Sequence, residues 1–173
     1  MKFRKLTADD IEVKVKQVKQ NGVICLLYKT SRTDMDLLDE TVGPMNWESD
    51  YKEIKGNLYA GIGVRESEEK PFVWKWDCGI ESRADGEGNQ KKGEASDAFK
   101  RAGFKWGIGR ELYTSPFIFI RSDLCRIEGN KCYDKFSVEK IVYDDNGRVA
   151  GLSIRNDSIK KRAFVWQASN SEK

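Results

Sequence analysis

The residues best equipped for chemistry in this 173-residue chain are cations, and they are bunched. Lys91, Lys92, Lys100, Arg101 and Lys105 fall within a 15-residue stretch, a density that suits contact with phosphates better than the making or breaking of bonds. On a helical wheel Ala95, Ala98, Phe99, Ala102, Gly103 and Trp106 gather within an arc of roughly 140°. Lys100, Arg101 and Lys105 take the opposite arc, interrupted only by Asp97 and Phe104. The small inner residues would let such a helix lie close on a sheet, and a helical glycine costs about 1 kcal/mol unless packing requires it. A basic arc also occurs on plainly solvated helices, so the pattern alone leaves a phosphate-binding face and a solvated face both open.

Other chemistry is narrowed by what is missing. There is no histidine, which removes histidine-based nucleophile systems, histidine general bases and histidine-ligated metals. Cys25, Cys78, Cys125 and Cys132 are scattered without a CxxC pair and read as buried reduced thiols rather than a four-thiolate zinc centre. Asp34, Asp36, Asp39 and Glu40 could be imagined as nuclease metal ligands. Their spacing spreads them over more than one helix face, which favours ion pairing or solvation. No GxxxxGK[ST] loop occurs, and Gly61-Ile-Gly63 and Gly107-Ile-Gly109 read as packing or turn glycines. No catalytic residue, metal or cofactor is therefore expected. Lys+Arg of 31 against Asp+Glu of 28 gives a net charge of only +3, so a polyanion would have to be held by a local patch.

These residues need elements to position them. Hydrophobic content of 39% with 34% charged residues indicates a soluble globular chain, cytoplasmic or nuclear, with no apolar run of membrane-spanning length. One domain is expected over residues 1–166, followed by a polar tail at 167–173. Ile11, Val13 and Val15 alternate with Glu12, Lys14 and Lys16, a half-buried strand with a basic outer face, and Asn21-Gly22 turns it into a second strand at Val23 to Tyr28. Thr30 or Ser31 caps a helix with Met35, Leu38 and Val42 at helical spacing, stopped by Gly43-Pro44. Trp47–Ile54, Leu58–Arg65 and Phe72–Ile80 form a meander. A flexible polar loop over residues 83–93 precedes a helix from Glu94 to about Trp106. Arg126 to Tyr133 suggests a small hairpin, and residues 137–154 a clearer one about Asp145-Asn146-Gly147. The fold class is α+β: an antiparallel sheet of hairpin plus three-stranded meander, packed on the long helix, with a C-terminal β-hairpin. Trp74 and Trp76 share one strand face, where core or subunit-interface packing is favoured over base stacking. Lys160-Lys161-Arg162 suits either a phosphate contact or solvated charge.

The segment from Lys92 to Tyr113 (Lys-Gly-Glu-Ala-Ser-Asp-Ala-Phe-Lys-Arg-Ala-Gly-Phe-Lys-Trp-Gly-Ile-Gly-Arg-Glu-Leu-Tyr) resembles the signature helix of the Rad-fifty-two/Rad-twenty-two superfamily of single-strand annealing proteins, the phage-encoded branch above all. The resemblance extends through Leu27-Tyr-Lys-Thr-Ser-Arg32, Leu38-Asp-Glu40, Gly43-Pro-Met-Asn-Trp47 and Tyr59-Ala-Gly-Ile-Gly63, covering most of residues 7–120. It implies a ring-forming protein that holds single-stranded DNA in an outer basic groove and anneals complementary strands without ATP, in recombination and repair. Lys100 and Arg101 match the lysine–arginine pair lining that groove. Phe104 stands where the family carries a third cation, with Lys105 one position beyond. Lys14 replaces an arginine of the early hairpin, Tyr28 matches a groove tyrosine, and Arg32 matches a basic position of the phage pattern. The DNA-binding set is then Lys14, Lys16, Tyr28, Arg32, Lys91, Lys92, Lys100, Arg101 and Lys105, with Arg83 a candidate for a second DNA site. Implied partners are single-stranded DNA, further copies of the chain, a phage exonuclease and a single-strand binding protein, in the cytoplasm of a bacterial host. A passive single-strand binding or replication accessory protein of the same fold is the alternative, and a carboxylate metal nuclease a more distant one.

Overall fold

The computed structural model describes residues 1–80 and 87–169, and the chain divides into two compact units that interleave in sequence: Met1–Arg4 with Lys29–Gly109, and Lys5–Tyr28 with Arg110 onward. Among the described residues the secondary structure is α+β, with two antiparallel sheets and two α-helices.

In the first unit, helix α1 (Ser31–Val42) begins where the Thr30 hydroxyl accepts a hydrogen bond from the Thr33 amide at 3.2 Å, and ends at Gly43, whose φ of 83° carries the chain out of the helix. Its inward positions are Thr33, Asp34, Leu37 and Leu38; Met35, expected inward, is exposed because Asp34 occupies the buried turn. Strands β1 (Trp47–Ile54), β2 (Asn57–Val64) and β3 (Val73–Cys78) form the expected meander, in the order β1-β2-β3. Lys55 and Gly56 both take positive φ in the tight turn between the first two strands. Ala60, Ile62 and Val64 point to one sheet face and are buried.

Helix α2 (Glu87–Trp106) packs on this sheet. It starts seven residues before Glu94, so residues 87–93, expected as loop, are helical. Glycines at 88 and 93 and a polar composition hide the start of this helix from a reading of periodicity. Ala98, Phe99, Ala102 and Gly103 are buried, and Trp106 donates from Nε1 to the Ile62 carbonyl at 2.9 Å.

The second unit is a six-stranded antiparallel sheet. Number its strands β4 (Glu12–Lys19), β5 (Gly22–Tyr28), β6 (Ile118–Arg121), β7 (Phe136–Tyr143), β8 (Val149–Asn156) and β9 (Lys161–Gln167); they run β6-β5-β4-β7-β8-β9. The early hairpin therefore joins the C-terminal strands and not the meander, which corrects the single sheet expected from the sequence. The C-terminal hairpin is extended by a third strand reaching Gln167, where a tail was expected to begin, while residues 170–173 lie outside the described residues. Edge strands β6 and β9 approach one another, so the sheet curls. Arg126 to Tyr133 holds only an isolated bridge, Glu128 to Lys131, in place of a hairpin. Buried Asn156 pins this end, donating to the Leu124 carbonyl at 3.0 Å and to Asp134 at 2.7 Å.

Candidate nucleic-acid interface

Two cations of α2 are held by the neighbouring strand β3. On the β3 side, Arg101 and Lys105 straddle one carboxylate, with Arg101 Nε 3.6 Å from Asp77 Oδ1 and Lys105 Nζ 3.7 Å from Oδ2. Lys105 also donates to the Trp76 carbonyl. Their side chains remain 45% and 47% exposed, and two cations about one anion leave the flank positive. Lys75 donates to the Lys105 carbonyl at 3.2 Å with its ammonium 4.1 Å above the Trp106 ring, a cation placed at the negative end of the helix. Lys105, left without a family counterpart by the sequence, is thus anchored to β3.

Lys100 lies half-buried on the α1 side of the helix. Beneath it runs the feature that sequence reading missed. Lys29, read only as part of a motif, is buried and donates to both oxygens of fully buried Asp34, at 2.6 Å to Oδ2, while its Nζ is 3.4 Å from the Lys100 carbonyl. Burial pushes the Asp34 carboxyl up to about 6, against the opposing pull of Lys29 and Lys100. Gly103 is needed here: a Cβ at that position would sit 2.5 Å from Asp34 Oδ2. The signal available was a lysine and an aspartate flanking a helix cap five residues apart. Ser96 and Ser31 hydroxyls meet at 3.4 Å, which ties the start of α1 to α2, and the next residue, Arg32, is exposed.

Asp97 and Glu94, the acidic residues within the basic stretch, are occupied by the sheet. Asp97 accepts from the Ile80 amide and Glu94 from the Leu58 amide, each at 3.2 Å. Lys91 and Lys92 are exposed on the early turns of α2 and not in a loop before it. The five cations consequently follow the helix round two flanks instead of sharing one face. Arg83 lies outside the described residues.

The second unit carries the remaining candidates. Lys14 and Lys16 are exposed on β4. The Lys14 ammonium sits 5.5 Å over the Tyr28 ring and 3.0 Å from Glu12, so Tyr28 and Lys14 form one cation–π pair. Lys16 falls where the β4–β5 register shifts between Val15 and Gln17, and a bulge there turns its side chain independently of the ladder. Arg162 is paired with Glu139 at 2.6 Å, and Ser153 also donates to that carboxylate; with Arg162 the chief cause, the Glu139 carboxyl falls to about 2.

The acidic residues of α1 go separate ways: Asp34 to Lys29, Asp39 to the Trp47 indole at 2.6 Å, Glu40 to Arg4 at 2.8 Å. Among the described residues no three Cys, Asp or Glu side chains are grouped to hold a metal ion, and no helix is long and apolar enough to cross a membrane. The Gly61-Ile-Gly63 pair is packing glycine, with the Trp76 and Trp74 rings lying where Cβ atoms would be, at 2.5 and 2.8 Å. Those rings stack on each other with centroids 5.3 Å apart. Comparison with known proteins returns no matching family model, no matching characterised sequence and no matching solved structure.

Proposed function

We propose that this chain binds single-stranded DNA through the cations of α2 and anneals complementary strands without ATP, working as an oligomeric ring in phage-type recombination. The observation that carries the reading is the seating of α2. Its small residues are buried against the sheet while Arg101 and Lys105 stay about half exposed on one flank, with Lys100 half-buried on the other. The ordered string of motifs from Leu27 to Tyr113 supports the same reading.

Annealing needs no bond chemistry. The protein must grip phosphates and leave base edges free to sample a partner, which lysine and arginine contacts to the backbone accomplish. Binding is then tolerant of sequence and falls with salt, with a log–log slope of about −0.7 per phosphate neutralised. The net +3 of one subunit is modest, and repetition of the site around an assembly supplies the avidity. Tyr28 with Lys14 in the second unit is a further candidate contact for single-stranded DNA.

The test is fluorescence anisotropy with a labelled single-stranded oligonucleotide at low salt. Wild type is expected to bind, and Lys100→Ala with Arg101→Ala to bind at least tenfold more weakly with an unchanged circular dichroism spectrum. Equal affinity of the two proteins would remove the interface from α2.

A further inference from the structure

Three of the four cysteines, Cys25, Cys125 and Cys132, belong to the second unit. Cys25 lies in β5 opposite Ile118 of β6 and is 1% exposed. Cys125 follows the short 3-10 turn Ser122–Leu124 at the end of β6, with its Sγ 3.4 Å from the Arg121 carbonyl oxygen. The turn about Gly129-Asn130 brings the chain back toward it at Cys132, closed by backbone hydrogen bonds between Glu128 and Lys131 at 2.9 and 3.1 Å. The same return is tied by the Arg126 amide, which donates to Asp134 Oδ2 at 2.8 Å across the turn. Burial first, then Cys132 and Cys125, pushes the Cys25 thiol up to about 12. Burial, followed by Cys132, Asp134 and Asp123, pushes Cys125 up to about 11.

The cluster is graded in accessibility, with Cys25 and Cys125 buried and Cys132 half-buried. Asp134, two residues from Cys132, is already held by Arg126 at 2.7 Å and Asn156 at 2.7 Å, and Asp123, two residues from Cys125, by Arg121. What remains for these sulfurs is thiol chemistry. We propose that Cys125 and Cys132 are an oxidisable pair, converted by a peroxide into an intramolecular disulfide that fastens the 126–131 turn to the end of β6, with Cys25 remaining a thiol. Cys25 is fixed in a paired strand, whereas Cys125 and Cys132 stand outside the ladders at the two ends of the turn.

The chemistry balances with one hydrogen peroxide. Cys132, the accessible sulfur, attacks as thiolate; the O–O bond breaks, an S–O bond forms, and the leaving hydroxide departs as water, giving a sulfenic acid. The Cys125 sulfur then attacks that sulfur, the S–S bond forms as the S–O bond breaks, and the Cys125 proton leaves with the oxygen as a second water. Two thiols lose two electrons and two protons in all.

The full-length chain, fully reduced and desalted, is treated with equimolar hydrogen peroxide, blocked with iodoacetamide and digested with trypsin. Trypsin cuts after Arg121, Arg126, Lys131 and Lys135, so the pair falls on two peptides, Ser122–Arg126 and Cys132–Lys135. The expected result is an intact monomer lighter by two hydrogens, those two peptides joined, and the Cys25 peptide alkylated. Dithiothreitol should reverse the link, and Cys78→Ser should leave it unchanged while Cys132→Ser abolishes it. A link through Cys25, a disulfide-bonded dimer, or only oxygen addition in the wild-type protein would each overturn the proposal, with no variant needed.

Discussion

Removing the buried cation beneath α2 should have a large and pH-dependent effect. Lys29 is 9% exposed and Asp34 fully buried, with Gly103 pressed against the carboxylate, so no water can replace the ammonium in Lys29→Met. Breaking a buried pair from one side costs about 3–5 kcal/mol, a melting shift of roughly 6–20 °C for a chain of this size. Asp34 already takes up a proton more readily when folded, near pH 6 against an ordinary value of 3.8. Its contribution to stability is therefore full below about pH 4 and declines as pH rises through about 6. Without Lys29 the upward push of burial on the carboxyl is less opposed, so its folded value rises further. Acidification from pH 7 to pH 5 should therefore stabilise the variant more than wild type, so the penalty shrinks at the lower pH. Adding Asp34→Asn, which keeps shape and removes charge, should restore most of the loss at pH 7. Urea denaturation at both pH values measures all of this. A penalty below about 1 kcal/mol, a penalty equal at the two pH values, or a double variant worse than the single would refute the reasoning.

Other outcomes follow from particular contacts. Lys100→Ala with Arg101→Ala should flatten the salt dependence of single-strand binding by about 1.4 in log–log slope, two phosphates' worth, measured by anisotropy across a salt series. Gly61→Ala and Gly63→Ala place a methyl inside the Trp76 and Trp74 rings and should each cost about 1–3 kcal/mol, with a changed near-ultraviolet circular dichroism spectrum. Asn156→Ala orphans the Leu124 carbonyl and the Ser158 and Ile159 amides, and should lower stability to urea by about 3 kcal/mol.

Local features were legible in the sequence because local chemistry fixes them. The Thr30 cap, the stop at Gly43, the meander and the small-residue face of α2 all rest on propensity and period, and each is where the pattern placed it. The companionship of strands was not, since β5 pairs with β6 across almost a hundred residues and β4 shares only two paired residues with β7. Periodicity says that a strand has a buried face, not what covers it. At the site, charge was legible and its partners were not: Asp77 between Arg101 and Lys105, and Lys29 turned inward to Asp34, are contacts between elements. The Trp–Gly rows show the same limit, with two glycines and two tryptophans each unremarkable until the β2–β3 register sets them opposite.

Annealing itself is tested most directly by mixing two complementary labelled oligonucleotides at low salt, without nucleotide, and following energy transfer with and without the protein. The account predicts pairing many times faster with wild-type protein, and a rate close to the uncatalysed one with Lys100→Ala and Arg101→Ala together. Binding to both strands with no acceleration of pairing would contradict it.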